Sequence, residues 1–249
     1  MNSNKSPSTV DGVRAIELFY RPVRRIKAGT PAFYQSQMRL NAPLMGTMLP
    51  DFYRTTAENS GQCVELFKLG MVQLLRSMKS FEEKGTLPRH ISIYMPVRYL
   101  KDENSAVDIS GMCKRFETDP DNICFEISSD ILFENDGTAS AVLSSLSAEG
   151  FHFMLSDFGI TGSPVFSIAE FPIDYVILDK SVCLLAGKNE RQNICIKSLV
   201  GLASQLGAEV IVPYADKEHS RIFSELGCLY TADGDFMSSR YAFRRKSEK

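Results

Sequence analysis

Three acids close short apolar runs in this chain. Glu126 follows Ile123-Cys124-Phe125, Asp157 follows Met154-Leu155-Ser156, and Asp179 follows Val176-Ile177-Leu178. A fourth such run, Glu209–Val212, closes on Pro213. If the runs are neighbouring strands of one sheet, their ends converge, and carboxylates that converge can hold a divalent cation. The competing account is that each acid caps the helix that follows or pairs with Arg or Lys, and spacing alone puts that account first. His90, His152 and His219 are isolated, so a histidine-based metal site is not expected.

The segments that must position these acids alternate in character. Ala15–Val23 and Ala32–Leu40 read as strands. Cys63–Glu83 has apolar residues at helical spacing (Val64, Phe67, Leu69, Met71, Leu74, Leu75, Met78) and reads as a long helix. Strands then follow at His90–Met95, Ile123–Ile127, Phe151–Leu155, Tyr175–Leu178, Glu209–Val212 and Leu229–Thr231. Helices fall between them at Asp108–Phe116, Ala139–Glu149, Arg191–Leu206 and Lys217–Leu226, with a short one at Pro164–Ala169. Sustained alternation of this kind predicts a parallel sheet covered on both faces. About eight strand candidates in one domain favour a closed (β/α)8 barrel, whose functional end is the C-terminal end of its strands.

Composition agrees with one such domain. The chain has 249 residues, 44% hydrophobic and 23% charged, and a formal net charge of -2. No global basic field is present, so nucleic acid is not an expected partner. The run Arg21, Arg24, Arg25, Lys27 is short and reads as a solvated rim. No apolar run reaches the roughly 20 residues of a membrane span, and a cytoplasmic protein is expected. The six cysteines form no C-x-x-C pair and several sit in apolar runs, which predicts buried reduced thiols. Residues 1–13 read as a disordered lead-in, 14–243 as the barrel, and 244–249 as a basic tail. Asp157-Phe158-Gly159 spells the D-F-G of protein kinases, but no H-R-D-type loop or Gly-rich loop accompanies it. There is no P-loop and no G-x-S-x-G elbow.

A series of short stretches resembles the EAL domain family of cyclic di-GMP phosphodiesterases. Phe19-Tyr20-Arg21-Pro22-Val23 resembles the family's Y-Q-P-I strand. Pro50-Asp51-Phe52 with Ala57-Glu58-Asn59-Ser60-Gly61 resembles its P-x-x-F…A-E-x-x-G helix. Glu126-Ile127-Ser128 resembles E-I-T, and Leu155-Ser156-Asp157-Phe158-Gly159 resembles D-D-F-G. Phe171–Asp179 resembles L-P-x-D-x-x-K-I-D. The order and spacing of these pieces carry the resemblance. It implies an EAL-type (β/α)8 barrel of the TIM kind. It also implies a reaction in which two Mg2+ or Mn2+ ions activate a water against a phosphodiester.

Against that pattern, several positions depart. Gln35 falls where the family has its signature Glu, Tyr94 on a ligand Asn, Ser156 on the first Asp, Ile177 on a Lys and Pro213 on a Glu. The family's late Gln falls near Ala232 or Asp233. Glu126 and Asp157 remain, Asp179 and Asp216 keep an acid, Arg39 keeps the Arg after the signature, and Arg21 is a new cation at the end of the first strand. The loop Ile160–Pro164 departs from T-G-Y-S-S, which in the family couples dimerisation to catalysis. The resemblance therefore implies a relic or ligand-binding site at Arg21, Gln35, Arg39, Tyr94, Glu126, Asp157, Asp179 and Asp216, with no catalytic residue, no metal ligand and no cofactor. The favoured reading is an inactive regulator that contacts an unidentified protein. A metal-independent receptor for cyclic di-GMP is the alternative, with Arg21 on a phosphate, or else pairing with Glu126 or Asp157 to seal the cleft. Tyr94 and Tyr214 would stack on guanine or fill the pocket. Active hydrolysis is disfavoured, and a homodimer stays open.

Overall fold

In the computed structural model, residues 9–10, 13–42, 45–135, 137–213 and 217–243 are described. Asp216, Tyr214 and the basic tail lie outside them. Eight strands form the barrel: β1 Ile16–Arg25, β2 Pro31–Ala42, β3 Ile91–Tyr94, β4 Ile123–Ser128, β5 His152–Phe158, β6 Tyr175–Leu178, β7 Glu209–Pro213 and β8 Tyr230–Ala232. Neighbours pair in sequence order from β2 to β8, all parallel, and β1 closes the ring between β8 and β2.

The expectation of a wholly parallel sheet fails at β1, which is antiparallel to both neighbours. The cause lies in the chain between β1 and β2. Residues 26–30 make a tight turn in which Gly29 takes φ +64 and donates to Arg25 O at 2.8 Å. So short a link permits a hairpin, whereas a parallel crossover needs about a dozen residues or more. A short strand, Met237–Ser238, adds to the outer part of β1, opposite Tyr20 and Phe19. Thr9–Val10 pairs with Val13–Arg14 ahead of the barrel.

The helices are α1 Pro50–Ser60, α2 Cys63–Glu83, α3 Val97–Leu100, α4 Ser105–Phe116, α5 Thr138–Ala148, α6 Lys180–Cys183, α7 Glu190–Gln205, α8 Lys217–Glu225 and α9 Ser239–Ala242. The short helix expected at Pro164–Ala169 is a 3-10 segment at Val165–Glu170. The buried face of α2 carries Phe67, Met71, Leu74, Leu75 and Met78 of the repeat read from the sequence, together with Phe81, while Leu69 of that repeat is exposed. Gly70 on that face leaves room for Met38 of β2, whose sulfur would lie 3.1 Å from an added Cβ.

Strand alternation divides the apolar residues into two sets. Ile91, Ile93, Phe125, Ile127, Phe153, Leu155, Val176 and Leu178 belong to the large core shared with the helices. Phe33, Cys124, Met154, Tyr175, Ile177, Ile211 and Tyr230 form a second cluster that fills the lumen. Step two residues along a lumen strand and the site appears: Phe33 leads to Gln35, Cys124 to Glu126, Tyr175 through Ile177 to Asp179. All six cysteines are free; Cys63, Cys113, Cys124 and Cys228 are buried, Cys183 is partly so, and Cys195 is exposed, against expectation for that one.

Candidate functional site

Arg21 does not sit at the end of its strand. It is the sixth residue of β1 and lies opposite Gln35 of β2, because the hairpin brings mid-strand to mid-strand. Its Nε donates to Gln35 Oε1 at 2.7 Å, and Gln35 Nε2 donates to Glu126 Oε2 at 2.6 Å. Arg21, Gln35 and Glu126 are only 5%, 4% and 9% exposed, so this chain is a buried one. The orientation of the amide is forced by its partners. A guanidinium only donates and an ionised carboxylate only accepts, so the Gln35 oxygen must face Arg21 and its NH2 must face Glu126. Burial raises the Glu126 pKa above the ordinary carboxylate value, while the Gln35 bond and the charges of Arg54 and Arg21 pull it back. The Arg21 guanidinium also lies 4.6 Å from the centre of the Phe236 ring.

Above this chain lies a cleft of about 190 Å³, walled by β1, β2, the end of β3 and α1. Tyr94 and Arg54 both line it. The Arg54 guanidinium stacks over its ring at 3.8 Å, and Tyr94 Oη donates to Glu58 Oε1 at 3.2 Å. Arg54 and Glu58 are one helical turn apart on α1, the spacing that puts two side chains on one face. Tyr53 Oη fixes the helix to β2 by donating to Met38 O at 2.9 Å. Arg39 does not line the cleft; it is stacked on Phe19 at 3.7 Å, with Nη2 donating to Phe236 O at 3.3 Å.

The three acids do share one rim, but they do different things. Glu126 faces the lumen and is buried. Asp157 is exposed and takes φ +59, at a point where the pairing of β5 with β6 slips between Leu155 and Phe158. Asp tolerates the left-handed region better than most residues. Next along, Gly159 has φ +87, and an added Cβ would meet Leu199 at 2.6 Å, so helix α7 holds this bend in place. Partial desolvation and the nearby charge of Asp179 raise the Asp157 pKa, against Arg54. Asp179 caps α6, accepting from Ser181 N at 2.8 Å and from the Ser181 hydroxyl. For that acid the capping account from the sequence holds.

Residues 12–239 match the EAL domain family. The chain belongs to that family. Among curated relatives, this EAL domain is 25% identical over 228 residues to the cyclic di-GMP phosphodiesterase RocR of Pseudomonas aeruginosa, covering 89% of this chain and 58% of that one. It is 25% identical over 177 residues to the cyclic di-GMP phosphodiesterase PdeR of Escherichia coli, covering 71% of this chain and 27% of that one. The chain thus spans less than two thirds of the length of these relatives. Among solved structures, the PaMucR phosphodiesterase in complex with c-di-GMP superposes with a TM-score of 0.81 at 16% identity, covering 91% of this chain and 93% of that one. The FimX EAL domain of Pseudomonas aeruginosa bound to c-di-GMP gives 0.74 at 17% identity and 87% of each chain. These likenesses establish the barrel fold.

Of the residues singled out from the sequence, the fold joins Arg21, Gln35 and Glu126, places Tyr94 on the same cleft, sets Arg39 outside it against Phe19 and the Phe236 carbonyl, and puts Asp157 and Asp179 together farther round the rim. Arg54, Glu58 and Phe236 were missed. A signal existed for two of them, since Arg54 and Glu58 lie at i,i+4 in the stretch that resembles a family helix beside the site. Phe236 carried none. No group of three or more His, Cys, Asp or Glu suited to a metal occurs among the described residues. Nor is any helix among them long and apolar enough to cross a membrane.

Proposed function

We propose that this EAL domain is a non-hydrolytic regulatory domain that acts by contact with a partner protein. The buried Arg21–Gln35–Glu126 chain carries the reading. A binuclear centre needs several oxygen ligands with negative charge around the ions. Here Gln35, at the position of the family's signature Glu, turns an N–H toward Glu126, and an N–H cannot ligate a cation. Arg21 brings a positive charge into the space such ions would require. Ile177 is apolar and buried in the lumen cluster at the position of the family's Lys, and Pro213 offers no side-chain ligand. Asp179 already serves as a cap. This donor set does not fit Mg2+ or Mn2+, and no hydrolytic step is derived through them.

The purified protein should form no linear dinucleotide from cyclic di-GMP above background with Mg2+ or Mn2+. Metal-dependent product that disappears in Asp157→Ala would refute the reading.

A second reading is favoured by one observation. The Arg54–Tyr94 stack lines the same cleft as Arg21, and guanidinium groups recognise phosphate without metal. Under it the domain is a metal-independent cyclic di-GMP receptor. Titration calorimetry with cyclic di-GMP, with and without Mg2+ and Ca2+, separates the two. The contact regulator gives no binding heat, and neither cation alone binds tightly. Saturable binding without metal selects the receptor.

A further inference from the structure

At the other end of the lumen two histidines that are 62 positions apart in sequence meet. The rings of His90, just before β3, and His152, the first residue of β5, lie 4.8 Å apart between centres. The expectation that the histidines are isolated therefore fails for this pair. His152 is held on both sides. Its Nε2 is 2.9 Å from Asp121 Oδ1, and its Nδ1 is 3.4 Å from Asp174 Oδ1. Asp121 lies in the turn before β4, and Asp174 directly precedes β6. Asp174 also accepts the Phe153 N–H at 2.8 Å, so it is tied to β5 through backbone as well.

A neutral imidazole has one N–H, and ionised carboxylates offer no donor. Two carboxylates facing the two ring nitrogens are satisfied together only by the doubly protonated ring. We propose that His152 is a proton-dependent clasp across the starts of β4, β5 and β6, closed while the ring carries two N–H donors and loosened when it loses one.

The surroundings fit this assignment. His90 is fully buried, packed on Phe33 with ring centres 4.6 Å apart, and neither of its ring nitrogens has a hydrogen-bond partner among the described residues. A second charge there would be unsolvated and would repel His152, so His90 stays neutral. Its pKa is pushed down to about 4, by burial first and then by His152 and Arg89. The His152 pKa is raised above 6.5, chiefly by Asp174, with Asp121 adding to it. Asp121 is correspondingly held below the usual carboxylate range by His152. The other ionisable groups on the packed elements are Cys124 of β4 and Tyr175 of β6, both driven up by burial and so neutral, and Glu209 of β7, which acts on Tyr175. With a raised folded-state pKa, the clasp contributes fully below about pH 6.5, and its contribution is lost as pH rises through the higher folded value.

The test combines imidazole NMR with melting curves on the whole chain. In the wild type, both His152 ring nitrogens should be protonated at pH 6, with a midpoint above that of an unperturbed imidazole. Asp174→Asn should lower that midpoint. Between pH 6 and 9 the wild-type Tm should fall. His152→Gln should melt about 2–4 °C lower at pH 6, the size of a loss near one hydrogen bond in a domain of this length, and should show a flatter profile. A His152 midpoint at or below that of free histidine, or equal slopes in wild type and His152→Gln, would overturn the proposal. If His152→Gln does not fold, the wild-type midpoint and its response to Asp174→Asn decide alone.

Discussion

At the C-terminal end of the barrel a neutral amide stands between Arg21 and Glu126, whereas at the N-terminal end the ring of His152 itself stands between two carboxylates. Both are polar chains in one lumen; the lower one joins the neighbouring β4, β5 and β6, whereas the upper one runs from β1 through β2 and across β3 to β4. They differ in what keeps them intact. Gln35 has no proton to lose, so its bond to Arg21 is matched at any protonation state, and its bond to Glu126 is matched while that carboxylate is ionised. His152 can bridge its partners only in one protonation state. The upper chain is a structural seal that holds while Glu126 is ionised, and the lower one holds while His152 carries both protons. Exposure strengthens the contrast, because the upper chain is buried throughout and Asp121 below is 61% exposed at its side chain.

The largest effect should come from breaking the upper chain. Arg21→Ala removes the cation bonded to Gln35 and leaves Glu126 buried without its charge. Removing one member of a buried charged set costs about 3–5 kcal/mol. Urea unfolding should show that loss, and unchanged stability would show that the chain seals nothing.

Next in size is an acid effect at the lower end. His90 is neutral in the fold with a pKa of about 4, against 6.5 when unfolded. A base with a depressed folded value is protonated first in the unfolded chain, so stability is lost as pH falls from about 6.5 to about 4. At about 1.36 kcal/mol per pH unit, the span corresponds to roughly 3 kcal/mol. His90→Phe should flatten this part of the stability profile while leaving the alkaline limb that belongs to His152. A variant with the wild-type acid slope would remove His90 from the comparison.

The smallest effect concerns the rim. Asp179→Ala should cost about 1 kcal/mol through loss of the α6 cap. The Asp157 pKa should move down as a neighbouring negative charge disappears, which carboxylate NMR can follow. No movement would mean that the two acids of the rim act apart.

Much of this was legible before any coordinates. The helix Cys63–Glu83 and the strand Tyr175–Leu178 fall at the bounds read from apolar spacing. The alternation of strands and helices gave the barrel, and acids after apolar runs gave its rim. The reversal of β1 was legible in principle, because residues 26–30 are too few for a parallel crossover, but the alternation of the remaining strands dominates the pattern. Arg21 and Gln35 could be named as site residues. Their bond could not, because which β1 residue meets Gln35 is set by the hairpin register and not by either residue type.

Sequence by itself determined the parts: strands with one lumen-facing residue in two, an amphipathic α2, and carboxylates at strand ends. Those follow from local periodicity, which needs no knowledge of neighbours. Only the tertiary structure decided the pairings. Closure of the ring through β1 set Arg21 against Gln35 and brought Phe236 over it, α1 laid Arg54 on Tyr94, and the parallel register of β3 to β6 stacked His90 on His152 between Asp121 and Asp174. Each of these contacts joins residues from separate elements, and side chains so placed are matched by the geometry of barrel closure, a property of the whole chain and not of any segment.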